Sequence, residues 1–380
     1  MIRLLTRSVS RRALGVPRLA VGVALLGLLA ASCGGGDEGE TTPSTSIAPA
    51  PESTEASTTT AAPTTTATTP PTTEGDEPTT TVEVAGPVMP LTGLPVEDEV
   101  FAARPAMVFK IDNHPQARPQ FGLNAADIVY EENVENLTRF AAVFQTNAPA
   151  KVGPIRSGRT QDVDLLESFT RPLFVWSGGN PNVTRVINGS ELISLSPTTT
   201  RNLGLFRAKR GNEDSEHTLY GDAIQLYEAF TPIFNPPPPA QFTYREPDEA
   251  FNGKTSDGVE LAMDGVNVTW TWDSDSASYL REQGGKPHET DFGQVNAANV
   301  VVLEVDYRPS PADSRSPEAQ TIGGGTAYVF TGGVLITGTW TRADSTSAFV
   351  LSDKNGSLIT LTPGRTWVEL PRKNKTTPIS

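Results

Sequence analysis

The sequence predicts an α/β N-terminal domain followed by a smaller, mainly antiparallel β domain, with a disordered Thr/Pro-rich tether before both. Three observations support this prediction. Short apolar runs alternate with segments of helical periodicity from residue 89 to residue 235. Four consecutive prolines at positions 236–239 then interrupt any regular element. Beyond them, residues 241–372 contain short strands separated by turn residues.

The α/β domain is predicted from apolar runs of strand length and from two stretches with the 3.6-residue period. One predicted helix starts near Thr160, with acidic residues in its first turn, where the helix dipole favours them. The other is predicted to start near Thr218. The predicted strands contain residues 106–111, 128–130, 140–144 and 173–176. Strands interleaved with helices indicate an α/β layer structure.

The β domain is predicted from alternation and turn residues. Val266, Val268, Trp270 and Trp272 fall on one face of a predicted strand. Two hairpins are expected in the last third of the chain, one around Gly332-Gly333 and one around Asn355-Gly356. For the second we expect a type I′ turn.

The N-terminus has the order of a bacterial lipoprotein signal peptide. Five arginines precede an apolar run, which ends in small residues directly before Cys33, the only cysteine of the chain. We therefore expect residues 1–32 to be removed and Cys33 to carry the lipid, palmitate included, on the outer face of the cytoplasmic membrane. Ser10-Arg11-Arg12 leaves open whether export follows the general or the twin-arginine route.

Residues 33–88 are predicted to be a tether, because a tract of Thr, Pro, Ser, Ala and Glu buries too little apolar surface to order the chain. The net charge is −14, and the five arginines of the signal peptide are absent from the mature form, which is therefore still more acidic. Such a surface argues against nucleic acid as a partner. With the only cysteine taken by the anchor, the fold must depend on core packing rather than on disulfides.

The first candidate site is the polar loop that follows the strand at residues 106–111. Asp112 and His114 form a candidate pair of orienting acid and general base, and Arg118 is a candidate anion ligand. The alternative is that this proline-containing loop is an ordinary turn in which His114 only bonds the backbone.

The second candidate site precedes the helix predicted near Thr160. Arg156, Ser157 and Arg159 together with free amide groups would bind an anion, since guanidinium binds carboxylate or phosphate bidentately. Alternatively, Arg156 and Arg159 form structural salt bridges with Asp162, Asp164 or Glu131.

His217 is the third candidate, because it follows a polar run at the predicted helix start. With three histidines in the chain, the position of both His114 and His217 at element boundaries suggests a shared pocket. We expect no metal and no cofactor, because the sequence has no His-x-x-x-His pair, calcium loop or phosphate loop.

Several motifs follow one another over essentially everything after the tether, at residues 90–94, 104–105, 113–119, 127–131, 138–140, 153–157, 217–220, 285–288, 299–302, 338–340 and 362–367. Together, in this order, they resemble the YerB-type lipoprotein family. The resemblance implies two domains and a lipoprotein anchor, in a family with no assigned activity. This chain departs from the expected pattern at Gly158, in place of alanine, and at Thr218, in place of asparagine.

We therefore predict a surface-tethered envelope lipoprotein that binds an anionic or carboxylate-bearing wall polymer or a partner protein through its cationic side chains. One alternative is a wall hydrolase or transferase with His114 as general base. Another is a scaffold for envelope enzymes, which would require exposed tryptophans at positions 270, 272 and 340.

Overall fold

The computed structural model describes residues 86–232, 235–246 and 248–380, and these described residues belong to one compact unit. Cys33, the signal peptide and nearly all of the tether lie outside the described residues. The described part confirms an N-terminal α/β domain followed by a mainly antiparallel β domain.

The N-terminal domain contains four α-helices and seven strands among the described residues. The helices are α1 (Glu99–Ala103), α2 (Gln161–Leu166), α3 (Pro181–Asn188) and α4 (Ala223–Phe230). The strands are β1 (Met107–Asp112), β2 (Ile128–Val134), β3 (Leu137–Phe144), β4 (Leu173–Val175), β5 (Ile193–Leu195), β6 (Leu205–Arg207) and β7 (Leu219–Gly221). Short 3-10 helices occupy Pro115–Ala117, Leu123–Ala125, Glu167–Phe169 and Ser215–His217.

The C-terminal domain contains only strands among its described regular elements. They are β8 (Lys254–Thr255), β9 (Gly258–Met263), β10 (Val266–Asp273), β11 (Ser278–Gln283), β12 (Glu289–Thr290), β13 (Gly293–Gln294), β14 (Asn296–Ala297), β15 (Asn299–Leu303), β16 (Tyr307–Ser310), β17 (Asp313–Ala319), β18 (Gly323–Thr331), β19 (Val334–Arg342), β20 (Val350–Asp353), β21 (Thr366–Leu370) and β22 (Thr376–Ile379).

The two domains share one large sheet of eleven described strands. Its order is β20-β19-β18-β15-β21-β2-β3-β1-β4-β5, and β8 pairs with β19. The junction is made by β21, which pairs in parallel with β15 on one side and with β2 on the other. Strand β1 is antiparallel to β3 and parallel to β4, so the N-terminal part of the sheet is mixed. A second sheet, antiparallel and five-stranded, has the order β14-β11-β10-β9-β22.

A hydrophobic core covers each face of the large sheet. Successive side chains of a strand point to opposite sides, so each strand contributes to both cores. Met107 and Phe109 of β1 belong to one core, which also holds Trp270 of the five-stranded sheet and Leu226 of α4. Val108 belongs to the other core, which includes apolar residues of α2 and α3. This double coverage explains why β1 reads as a continuous apolar run rather than an alternating one.

Two local predictions were wrong. The helix expected to begin near Thr218 begins instead at Ala223, because Asp222 caps it by accepting from the Gln225 N–H. Residues 219–221 form β7, paired with β6. At Asn355-Gly356 only the glycine has a positive φ, so the turn is not type I′, whereas Gly332 and Gly333 both have positive φ.

Candidate functional site

The candidate site begins where β1 ends, at the edge of the large sheet. Asp112, the last residue of β1, is fully buried, and the polar loop follows it. His114 lies in this loop at the start of the 3-10 helix Pro115–Ala117, and its Nδ1 accepts a hydrogen bond from the Gln116 N–H. The ring of His114 therefore caps a backbone N–H, as the ordinary-turn alternative expected, while the side chain stays partly exposed.

Backbone pairing brings the second predicted segment to the same strand end. The Asp112 N–H donates to the Pro154 carbonyl, and the Arg156 N–H donates to the Lys110 carbonyl. On the other side, the Ile155 N–H donates to the Leu219 carbonyl of β7. The segment that carries Arg156 is thereby held between the end of β1 and the strand that directly follows His217.

His114 and His217 are stacked face to face. Their ring centroids are 4.3 Å apart and the ring planes differ by 4°. The sequence predicted that these two histidines share a pocket if the element ends converge, and the structure brings them into contact.

Asp112 orients the ring of His217 rather than the ring of His114. Its Oδ2 lies 2.6 Å from His217 Nδ1, and its Oδ1 accepts the backbone N–H of His114 at 3.1 Å. The acid–base pair expected between Asp112 and His114 is thus formed with His217. Because a carboxylate can only accept, Nδ1 of His217 carries the proton and Nε2 is directed away from Asp112.

The electrostatics of the pair oppose a positive charge on His114. Partial burial lowers the pKa of His114, and the neighbouring charges of His217 and Arg156 lower it further against the attraction of Asp112. Two stacked imidazolium rings would repel each other, so the second proton is taken up less readily than the first.

Arg156 and Glu216 form an ion pair beside the histidines. Arg156 Nη1 lies 2.6 Å from Glu216 Oε2, and Glu216 Oε1 lies 3.6 Å from His217 Nε2. The side chain of Glu216 is 55 % exposed, whereas that of His217 is 5 % exposed. The close contact with the Arg156 guanidinium lowers the pKa of Glu216, which keeps this carboxylate ionised at neutral pH.

Arg139, which the sequence analysis did not single out, is the fourth basic residue of this region. It lies opposite Asp112 in the β1–β3 register, and its Nε is 3.6 Å from Asp112 Oδ1. Its Nε and Nη1 are buried without a hydrogen-bond partner among the described residues. Burial lowers the pKa of Arg139 to about 10, and the charges of Arg159 and Arg156 act in the same direction. An arginine inside an otherwise apolar strand was the available signal in the sequence.

We call His114, Arg139, Arg156 and His217 the His–Arg site. Two of the arginines predicted for the same role bond elsewhere. Arg118 donates from Nη2 to the Asn113 carbonyl at 2.8 Å and from Nε to Asn113 Oδ1 at 3.2 Å. These bonds fold the Arg118 guanidinium back onto its own loop.

Arg159 and Ser157 belong to a neighbouring cleft of about 530 Å³. Arg159 binds Glu135 through two nitrogens, at 3.2 and 2.7 Å, and also donates to the hydroxyl of Ser157. Ser157 itself is buried. Burial alone would raise the pKa of Glu135. The hydrogen bonds and the charge of Arg159 outweigh burial and lower the pKa of Glu135 to about 2.

The partners expected in the salt-bridge alternative pair with other residues. Asp162 Oδ1 binds Lys110 at 2.6 Å, and Glu131 binds Arg281 at 2.7 Å. Arg156 and Arg159 nevertheless form ion pairs, with Glu216 and Glu135.

The tryptophan surface required by the scaffold alternative is not formed. Trp270 and Trp340 are buried, with their Nε1 groups donating to Glu369 Oε1 and to the Glu304 carbonyl. Trp272 is half-buried. In the described ranges, no cluster of three or more His, Cys, Asp or Glu side chains is arranged to hold a metal ion. None of the helices in those ranges combines the length and the apolar character needed to span a bilayer.

With the fold and this geometry established, comparisons with known proteins define the class. The family described as "Protein of unknown function (DUF3048) N-terminal domain" matches residues 91–232. Its companion, "Protein of unknown function (DUF3048) C-terminal domain", matches residues 259–368. The chain belongs to the YerB-type family, whose members combine these two domains.

Two matches come from Bacillus subtilis. The curated protein "Putative lipoprotein YerB" is 27 % identical over 294 residues, which cover 74 % of this chain and 85 % of that protein. The crystal structure of the YerB protein matches with a TM-score of 0.67 and 24 % identity, over 77 % of this chain and 99 % of that one. The structural match supports the fold.

Proposed function

We propose that this chain is an envelope lipoprotein, anchored through Cys33 to the outer face of the cytoplasmic membrane, that binds an anionic ligand at the His–Arg site. The ligand is a carboxylate-bearing wall polymer or an anionic segment of an envelope protein. The observation that carries the proposal is the Glu216 carboxylate, which lies 2.6 Å from Arg156 and 3.6 Å from His217 Nε2. These side chains are thus spaced to hold a carboxylate at the protein surface.

The chemistry of the site suits an anion better than a neutral ligand. Guanidinium groups remain charged at every physiological pH and bind carboxylates with charge-assisted hydrogen bonds. Arg139 adds a buried charge whose Nε and Nη1 lack hydrogen-bond partners among the described residues. The protein is acidic overall, with a net charge of −14, so these cationic side chains form a local exception.

The anchor is supported by the order of basic, apolar and small residues before Cys33 and by the name of the relative from Bacillus subtilis. Because Cys33 is the only cysteine, its thiol is the only one in the chain through which a palmitate-containing lipid could be attached. Cys33→Ser should abolish labelling and release the protein from the membrane fraction.

The binding proposal is tested by retention of the full chain on purified cell wall. Arg156→Ala should reduce retention at least tenfold, because it removes the exposed charge of the His–Arg site. The matched control is Arg171→Ala, since the Arg171 side chain is 59 % exposed and pairs with Glu191 outside the site. A pull-down at 0.15 M salt, with circular dichroism to verify folding, provides the measurement.

Equal retention of the Arg156→Ala variant and the wild type would contradict binding at this site. A tenfold loss with Arg171→Ala as well would show that retention follows net charge, and would contradict the proposal equally.

A second candidate is a wall hydrolase or transferase, favoured by the contact of Asp112 Oδ2 with His217 Nδ1 at 2.6 Å. This contact orients His217 Nε2 to accept a proton, which assigns the base role to His217 rather than to His114. Turnover of wall fragments should then vanish in His217→Ala. Turnover that persists in this variant would exclude the mechanism.

A further inference from the structure

We infer that Glu216 is an internal competitor that occupies the His–Arg site, and that the ligand group which displaces it is a carboxylate. This inference rests on the proposed function. It adds that the anionic group of the ligand is a carboxylate and that Glu216 must leave the site before this group binds. It follows from the position of one exposed side chain between the Arg156 guanidinium and the His217 ring.

The two oxygens of Glu216 are divided between the two basic groups. Oε2 lies 2.6 Å from Arg156 Nη1, and Oε1 lies 3.6 Å from His217 Nε2. A planar group with two oxygens therefore spans the gap between guanidinium and imidazole. A ligand carboxylate has the same shape and charge, so it can take the same place without rearrangement of the basic groups.

The ring of His217 and the backbone of Arg156 are held in place without help from Glu216. The ring of His217 is fixed by Asp112 at Nδ1 and by stacking on His114. The backbone of Arg156 is fixed by its N–H bond to the Lys110 carbonyl. The imidazole ring and the backbone that carries Arg156 should therefore keep their places when Glu216 leaves, and a ligand carboxylate would replace Glu216 as the ion-pair partner of the guanidinium.

Glu216 itself is easy to displace. Its side chain is 55 % exposed, and it lies in the short 3-10 helix Ser215–His217 that ends a polar, mostly exposed stretch. Exposed ion pairs contribute little to stability, because water and salt compete for both charges. Exchange of one carboxylate for another at Arg156 consequently costs little.

The experiment compares Glu216→Gln with Asp214→Asn in the full chain. Both variants remove one negative charge from the same exposed segment, but the Asp214 side chain accepts no helix-capping hydrogen bond and forms no ion pair with Arg156 or His217. The probe is polygalacturonate, a polymer of carboxylated sugars, with its methyl ester as the uncharged polymer and polyphosphate as the phosphate polymer. Affinity is measured by calorimetry at 0.15 M salt.

We expect Glu216→Gln to bind polygalacturonate at least fivefold more tightly than Asp214→Asn does, with no binding of the methyl ester. Equal affinities of the two variants would overturn the competitor role, because the gain would then be a general charge effect. An equal gain for polyphosphate would overturn the carboxylate assignment.

Failure of this inference can be told apart from failure of the proposed function. If Arg156→Ala abolishes wall retention while Glu216→Gln gains nothing, the site binds an anion but Glu216 is not its competitor. If Arg156→Ala retains wall binding, the proposed function itself fails.

Discussion

Arg139 lies more than nine-tenths buried on β3, with Asp112 as its nearest acidic partner at 3.6 Å from Nε. A buried charge without hydrogen bonds is costly, since nothing replaces the water it has lost. We therefore expect that an apolar side chain of similar size can replace Arg139 without loss of stability. The presence of this costly charge in a strand of otherwise mostly apolar residues is the reason for including Arg139 in the proposed binding site.

Replacement of Arg139 by methionine should separate stability from binding. Methionine has a similar length and no polar atoms that need partners, so the free energy of unfolding should stay unchanged or rise by about 1 kcal/mol. Wall retention should fall at least fivefold, because one charge of the His–Arg site is gone. Urea unfolding and the wall pull-down provide the two measurements.

A loss of about 3 kcal/mol or more in Arg139→Met would show that Arg139 is a structural partner of Asp112. Unchanged retention would remove it from the site.

At the level of single residues, the sequence predicted which side chains lie near the strand end better than where those side chains point. His114, His217 and Arg156 meet because β1, the 152–156 segment and β7 are paired through their backbones. Arg118 and Arg159 come from the same loops, yet they bond Asn113 and Glu135. Side-chain direction depends on such neighbours, and Glu135 is 24 positions away from Arg159.

Strands β2, β11 and β21 meet at a buried cluster of charged residues around Arg281. Arg281 Nη2 donates to both oxygens of Glu131, at 2.9 and 2.7 Å, and Arg281 Nε lies 4.0 Å from Glu369 Oε1. His288 completes the cluster, with Nδ1 2.5 Å from Arg281 Nη1 and Nε2 2.9 Å from Gln120 Oε1. The cluster joins the N-terminal domain to the C-terminal domain through hydrogen bonds inside the core.

The neutrality of His288 has a consequence for acid stability. Burial, followed by the charges of Arg281 and Arg118, holds the pKa of His288 well below its ordinary value of 6.5. Below pH 6.5 the unfolded chain therefore binds this proton before the folded chain does. The stabilisation is complete above pH 6.5 and is lost as the pH falls towards the folded-state pKa.

We predict that His288→Gln removes this dependence. Glutamine can accept from Arg281 and donate to Gln120, but it does not titrate in this range. The difference in unfolding free energy, wild type minus variant, should fall by at most about 1.4 kcal/mol per pH unit below pH 6.5. The neighbouring acidic residues are the same in both proteins, so this difference isolates His288. A difference that stays constant between pH 7 and pH 4.5 would contradict the account.

At the level of elements, periodicity in the N-terminal domain identified β1 to β4, α2 and the presence of α4, but not α1 or α3. Capping decided where α4 begins. The apolar spacing continues backwards through residues 219–220, so it could not distinguish helix from strand there. Pairing of β7 with β6 and the Asp222 cap determine the outcome, and the first of these is a tertiary contact.

The whole described body is built around one sheet that both family domains share. Strand β21, from the end of the chain, lies between β2 of the N-terminal domain and β15 of the C-terminal domain. The tetraproline and the change of pattern after it mark a change of architecture in the sequence. The long-range pairing of β2 with β21 spans more than 230 residues, and no local signal predicts it.

The His–Arg site is composed of residues from the N-terminal domain alone, at the sheet edge where β1 ends. The C-terminal domain supports this region indirectly, since Gln283 exchanges hydrogen bonds with Asn113, the residue between Asp112 and His114. The predicted anchor and tether would present this edge at a distance from the membrane, within reach of wall polymer.

Histidine nuclear magnetic resonance tests binding at the His–Arg site most directly, because the chain has three histidines and two of them form the stacked pair. The full chain, labelled at its histidine rings, is titrated with soluble fragments of purified wall. The account predicts that the ring signals of His114 and His217 shift together and saturate, while the signal of the buried His288 stays constant. Signals of His114 and His217 that remain unchanged at full retention of the fragments would contradict it.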